Sequence, residues 1–128
     1  MRDLAHSLGI VQAVAPAVIT ASNTSAAIDL LGFDSAAIIV STGAIAGSGN
    51  FTPKIQESDT TTSGDFTDVA AADLTNALPS VLLASSTAKT SYLGNKRYIR
   101  SVLTLNSGTS IAADVLVVKG NATKRPVA

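Results

Sequence analysis

The stretch Phe51-Thr52-Pro53-Lys54-Ile55-Gln56-Glu57-Ser58 is the clearest alternation of apolar and polar side chains in the chain. Period two is the repeat of an extended backbone, whose successive side chains point to opposite faces of a sheet. Phe51, Pro53 and Ile55 are therefore predicted inward, and Thr52, Lys54, Gln56 and Ser58 outward. Pro53 has no N–H to give a ladder, so this strand should lie at a sheet edge or begin after Pro53. Upstream, residues 35–42 (SAAIIVST) are apolar on both faces and β-branched at their centre, which suits an interior strand covered on two sides. Thr24, Ala26, Ile28 and Leu30 alternate with Ser25, Ala27 and Asp29 as in a half-buried strand. Residues 43–50, rich in Gly, Ala and Ser, read as the loop between two strands.

Downstream, residues 87–93 and 96–105 flank Gly94-Asn95, a pair that tolerates positive φ, and predict a hairpin. Asn106-Ser107-Gly108 supplies another turn, after which Ile111, Ala113, Val115 and Val117 line one side of a returning strand. Together these predict a three-stranded antiparallel meander. Val81-Leu82-Leu83 reads as a further short strand, and residues 68–74 as one helical turn capped by Asp68. The expectation is an all-β fold: an antiparallel β-sandwich or jelly-roll-like barrel of about eight strands with at most one short helical turn. Residues 1–128 read as a single β domain, with an N-terminal arm (1–20) and an extended C-terminal tail (121–128).

Composition narrows the function. Of 128 residues about fifty are Ala, Ser or Thr; 46% are hydrophobic and 14% charged, a balance that favours a packed core over disorder. Nine basic and nine acidic side chains cancel, which removes the general attraction for phosphate backbones. The absence of cysteine excludes disulfides, thiolate metal sites and thiol nucleophiles. No stretch approaches the ~20 apolar residues of a membrane-spanning helix. The apolar segment 8–19 is interrupted by Gln12 and Pro16 and makes a poor secretory signal.

Candidate chemistry is sparse. His6 is the single histidine, and no Gly-x-Ser-x-Gly elbow accompanies it, so no acid–base pair or serine triad is expected. Glu57, Asp59, Asp65 and Asp68 form an acidic loop, but their spacing matches no calcium motif and reads as a solvated tip. Residues 43–49 lack the lysine and the following helix of a phosphate loop. Lys96, Arg97 and Arg100 form a basic cluster beside Tyr92 and Tyr98. Strand parity sends Arg97 and Arg100 to opposite faces, so pairing with carboxylates is expected ahead of bidentate contacts to a partner. An enzyme is not expected, nor a cofactor or metal.

Several blocks occur in a telling order: residues 1–4 (MRDL), 26–30 (AAIDL) with 32–35 (GFDS), 54–59 (KIQESD), 66–74 (FTDVAAADL), 92–100 (YLGNKRYIR) and 125–127 (RPV). This order resembles a family of small proteins encoded among the head genes of tailed phages and prophages. The resemblance covers nearly the whole chain and implies a virion component, a decoration or cement protein on the outer capsid surface. Implied partners are the major capsid protein and neighbouring copies of the chain, with no nucleic acid, membrane or small-molecule substrate. Candidate partner contacts are Arg2, Tyr92, Lys96, Arg97, Tyr98, Arg100, Lys124 and Arg125. Alternatives are a tail, connector or fibre-associated component, or a glycan-binding module using Tyr92, Tyr98 and the acidic loop.

Overall fold

The structure, a computed structural model, describes residues 3–123. Nine strands follow one another: β1 (Gly9–Ile19), β2 (Asn23–Thr24), β3 (Ile28–Asp29), β4 (Phe33–Ala46), β5 (Asn50–Ser58), β6 (Thr67–Asp68), β7 (Thr87–Tyr92), β8 (Tyr98–Ser107) and β9 (Ser110–Ala122). They form two antiparallel sheets, one ordered β1-β9-β4-β7 and the other β2-β8-β5-β6, with β3 also pairing β8. β2 and β3 behave as one strand kinked at Ser25. There the Ser25 hydroxyl takes the place of a ladder carbonyl and accepts the Ser101 N–H at 2.9 Å. Counted this way, the order is 1-8-3-6 against 2-7-4-5, the two interlocked Greek keys of a jelly roll.

The inner faces meet in one core. The first sheet contributes Ile38, Val40, Ile111, Val115 and Val117; the second contributes Phe51, Ile55, Ile99 and Leu103. Leu82 enters from the loop before β7, and its N–H bonds the Phe51 carbonyl at 3.0 Å. Phe51, Pro53 and Ile55 all face inward as the alternation requires. Alternate residues of a strand aim their backbone groups to the same side. The Phe51 and Ile55 carbonyls accept from Leu82 and Val69, on the side away from β8. Pro53, between them, thus withholds its missing N–H from that covered edge and not from the β8 ladder. β4, carrying residues 35–42, lies in the interior between β9 and β7.

Other expectations are corrected. β7 and β8 are not a hairpin: β7 pairs β4 and β8 pairs β5, so residues 93–97 cross between sheets. β9 likewise pairs β1 and β4, not β8, and there is no meander. Residues 9–19 of the expected arm are β1, hydrogen-bonded along β9 with register shifts at Gln12/Val14 and Val14/Ala17. In the expected tail, Asn121 and Ala122 end β9, Thr123 donates its N–H to the Gly32 carbonyl at 2.9 Å, and residues 124–128 lie outside the described part. β4 runs on through Gly43 to Ala46, leaving a short turn at 47–49 in place of the expected loop. Val81-Leu82-Leu83 is not a strand. The single turn read within residues 68–74 is present as a 3₁₀ turn at Ala71–Asp73, but Asp68 belongs to β6 and does not cap it; among the described residues two more 3₁₀ turns lie at Ala5–Ser7 and Ser63–Asp65. Ser58, expected outward, is buried, its hydroxyl accepting the Thr60 N–H.

Candidate functional site

The crossover from β7 to β8 carries the aromatic and basic residues singled out in the sequence. It forms one wall of an open cleft of about 520 Å³ lined by Leu31, Phe33, Asp59, Tyr92, Lys96 and Arg97. The chain must cross the ~10 Å between the two sheets here, and polar contacts fix its path. Arg97 forks onto Asp29, with Nε 2.9 Å from Oδ1 and Nη2 2.8 Å from Oδ2. Oδ1 of Asp29 also accepts the Leu31 N–H at 2.9 Å. The Arg97 hydrogen bonds hold the Asp29 carboxyl at about 2, and Asp29 in turn raises the Arg97 pKa. The guanidinium also lies 5.0 Å from the centre of the Tyr98 ring. Lys96 Nζ reaches Asp59 Oδ2 at 2.7 Å, a contact that raises the lysine pKa.

Tyr92 is buried, contrary to its expected role as a partner contact or sugar platform. Its hydroxyl donates to Glu57 Oε2 at 3.1 Å and accepts the Lys96 N–H at 3.1 Å. Burial pushes its pKa up to about 12; the Glu57 carboxylate adds to the shift and the Lys96 amide opposes it. Since Tyr92 stands on β7 and Glu57 on β5, this side chain ties one sheet to the other. Arg100 belongs elsewhere. It lies on the outer face of the second sheet, with Nε 2.7 Å from Gln56 Oε1, Nη1 3.0 Å from Ser63 Oγ, and its guanidinium over the Phe66 ring at 4.3 Å. The basic residues are thus absorbed by intrachain partners, and the Arg97 fork is spent on Asp29. Arg2, Lys124 and Arg125 lie outside the described residues.

The acidic loop is also dispersed: Glu57 faces Tyr92, Asp59 faces Lys96, Asp65 accepts from the Thr60 hydroxyl, and Asp68 accepts from Gln56. The Gln56 hydrogen bond first, and Lys54 second, hold the Asp68 carboxyl below the usual range. Among the described residues no three His, Asp or Glu side chains converge as metal ligands. His6 Nδ1 lies 2.7 Å from Asp3 Oδ2, both side chains exposed.

A second surface escaped the sequence reading. The outer face of the β5–β8 sheet pairs Thr52 with Thr104, Lys54 with Val102 and Gln56 with Arg100, a mostly polar surface. The outer face of the β1-β9-β4-β7 sheet is different. Ile10, Val118, Ala37 and Ser91 lie side by side; Gln12, Leu116, Ile39 and Lys89 form the next row, Asp114, Ser41 and Thr87 the one after, and Val18 pairs Ala112 further along, so an apolar centre is flanked by polar side chains. Ile10 is 64% exposed and Val18 65%. This is the second face of residues 35–42; Ala37, Ile39, Leu116 and Val118 are half-buried there, while Ile10 and Val18 are exposed. The signal was present in β4, but the outward half of β9, with Leu116 and Val118, passed unnoticed beside its stronger inward half.

No family model and no curated protein matches the sequence. A solved structure of infectious bursal disease virus, Gx strain, is similar over 93% of this chain and 33% of that chain, at 11% sequence identity and a TM-score of 0.44. This chain therefore spans about a third of the length of that one.

Proposed function

We propose that the chain is a non-enzymatic structural protein of a virion, a decoration or cement protein that seats on the outer head shell. In this reading it clamps adjacent copies of the major capsid protein. The observation that carries the reading is the apolar outer face of the β1-β9-β4-β7 sheet. β1, β9 and β4, ~4.8 Å apart and about ten residues long at ~3.3 Å each, with the shorter β7 beside them, present roughly 500 Å² of sheet, apolar at its centre and polar along its margins. That is of the order of the ~800 Å² that each partner gives up in a standard protein interface. Contiguous apolar patches of several hundred Å² on soluble chains mark interaction sites.

Two further points support it. The sequence blocks resemble head-gene proteins of tailed phages, and the two cations of the crossover cleft, Lys96 and Arg97, are paired with Asp59 and Asp29. The jelly-roll order alone is shared by capsid, lectin and cupin domains and does not choose among them. Binding the assembled lattice in preference to free subunits stabilises the shell by mass action, and many equivalent lattice sites multiply weak contacts. The test is thermal rupture of purified heads with and without the protein, followed by a dye that reports released genome. The proposal expects rupture at a lower temperature without it, and restoration when purified protein is added back. Identical rupture curves refute it. Copy number in the particle separates a shell protein, present in hundreds, from a connector component, present in about a dozen.

A further inference from the structure

We infer that the free edge of β1 pairs, over residues 9–12, with the same edge of a second copy, joining two jelly rolls through one continuous sheet. The inference stands on that edge and not on the shell reading. Backbone groups alternate in direction along a strand, so the ladders reveal which ones β1 leaves unused. The Ser91 carbonyl accepts the Thr75 N–H, and the Leu93 N–H donates to the Asp73 carbonyl, so the odd residues of β7 face away from β4. Ala37, opposite Ser91, therefore turns its groups to β9 and its partner there, Val118. Val117, one residue along, turns to β1 and meets Val11. Gly9 and Val11 thus bond β9, while Ile10 and Gln12 direct N–H and C=O outward. Among the described residues no hydrogen bond from outside β9 reaches β1.

The other edges are closed or short. Thr75 and Asn76 cover β7, Val69 and Leu82 cover β5, and β2, β3 and β6 are each two residues long. Long edges are ordinarily guarded by charge, proline or bulges. β1 carries no charged residue. Pro16 and the register shifts at Gln12/Val14 and Val14/Ala17 guard its second half, where residues 20–26 also line a hollow beside it. Residues 9–12 keep an even register with β9 and have no guard. They also match themselves, which favours a second copy over an unrelated strand. An antiparallel pair centred on Val11 sets Ile10 of each copy opposite Gln12 of the other, and each such pair exchanges both N–H···O bonds. The half-buried Val11 meets its own counterpart on the inner side, and no charge faces its like across the two-fold axis. That axis is perpendicular to the sheet, so both outer faces point the same way. On the shell reading, one roll of the pair then sits on each of two neighbouring lattice sites.

The test is sedimentation of the full-length chain across a concentration series, with amide hydrogen exchange read by NMR on the same samples. Four residues a side make a small contact, so the series extends to millimolar chain. The Ile10 and Gln12 amides should exchange about tenfold more slowly in associated samples than in dilute ones. The double variant Ile10→Lys/Gln12→Lys sets like charges opposite one another at the seam and should associate about tenfold more weakly. Ile10→Lys/Gln12→Glu sets opposite charges in the same places; it should associate at least as well as the parent at low salt and lose that advantage at high salt. Both positions are exposed in the single chain, and circular dichroism checks that the variants fold. If either does not, the exchange rates of the unaltered chain carry the test. Equal association of the two variants overturns the inference, as do Ile10 and Gln12 amides that exchange equally fast at every concentration. A chain that stays monomeric yet still protects heads from thermal rupture overturns this inference alone and leaves the shell-binding proposal standing.

Discussion

Replacing Tyr92 by Phe removes one oxygen at the point where the two sheets are tied together. The ring stays, so the apolar contacts of this buried side chain persist. Two hydrogen bonds are lost: the one donated to Glu57 and the one accepted from the Lys96 N–H. A hydrogen bond to a charged group contributes ~1.5–3 kcal/mol, and water at the partly open Glu57 returns a share of it, leaving a net loss of about 1–2 kcal/mol. For 128 residues the unfolding entropy is about 0.27 kcal/mol/K, so Tm should fall by about 4–7 °C. Urea unfolding should show a lower midpoint at an unchanged slope, because the folded state loses a bond and not its compactness. Tyr98→Phe, whose hydroxyl has no such intersheet role in this account, is the control. A Tyr92→Phe protein as stable as the parent would show that the link to Glu57 adds nothing and that apolar packing alone sets the crossover.

Four further outcomes follow from the same geometry. Ser101→Ala removes a buried hydroxyl that has no partner among the described residues, and should leave stability unchanged or raise it by up to about 1 kcal/mol in urea titration. Ile38→Val, at a fully buried position of β4, should cost about 0.5–1.5 kcal/mol by the same assay. Gly108→Ala should lower the yield of folded protein or its Tm, since φ is +80° and the new methyl would meet the Ser48 carbonyl. Asp29 has its carboxyl depressed to about 2 from an ordinary 3.8, so its pairing with Arg97 stabilises the fold above pH 4 and loses that effect as pH falls toward 2. The stability gap between the parent and Asp29→Asn should accordingly hold from pH 7 to 4 and close between pH 4 and 2 in acid titration.

The side-chain faces of most of β5 and of β9 were legible in the sequence, because alternation is a local property set residue by residue; at the kink the reading is reversed, with Ser25 buried and Thr24 and Ala26 exposed. Phe51, Pro53 and Ile55, and Ile111, Ala113, Val115 and Val117, are buried as read. Which strands pair was not legible. Residues 93–97 are as suitable for a hairpin turn as for a crossing of ~10 Å between sheets, and Gly94-Asn95 favours neither. Both arrangements bury the inward residues of β7, β8 and β9 equally well, so the choice depends on where β4 and β5 lie, some forty residues upstream. The kink at Ser25 was invisible for a similar reason: its hydroxyl is set by a backbone N–H at Ser101. At the crossover, the cluster of Lys96 and Arg97 was found by composition, and their pairing with carboxylates was expected. The burial of Tyr92 depended on Glu57, distant in sequence, and could not be anticipated. The outer face of this sheet was half visible, in Ala37 and Ile39 of residues 35–42, which lie beside Val118 and Leu116 of β9.

A density map of the intact particle at side-chain resolution should show one jelly roll per lattice site, seated through Ile10, Ala37, Ile39, Leu116 and Val118, with the polar β5–β8 face toward solvent. Density in which the chain sits by that polar face, or particles without the chain, would overturn the proposed seating on the shell.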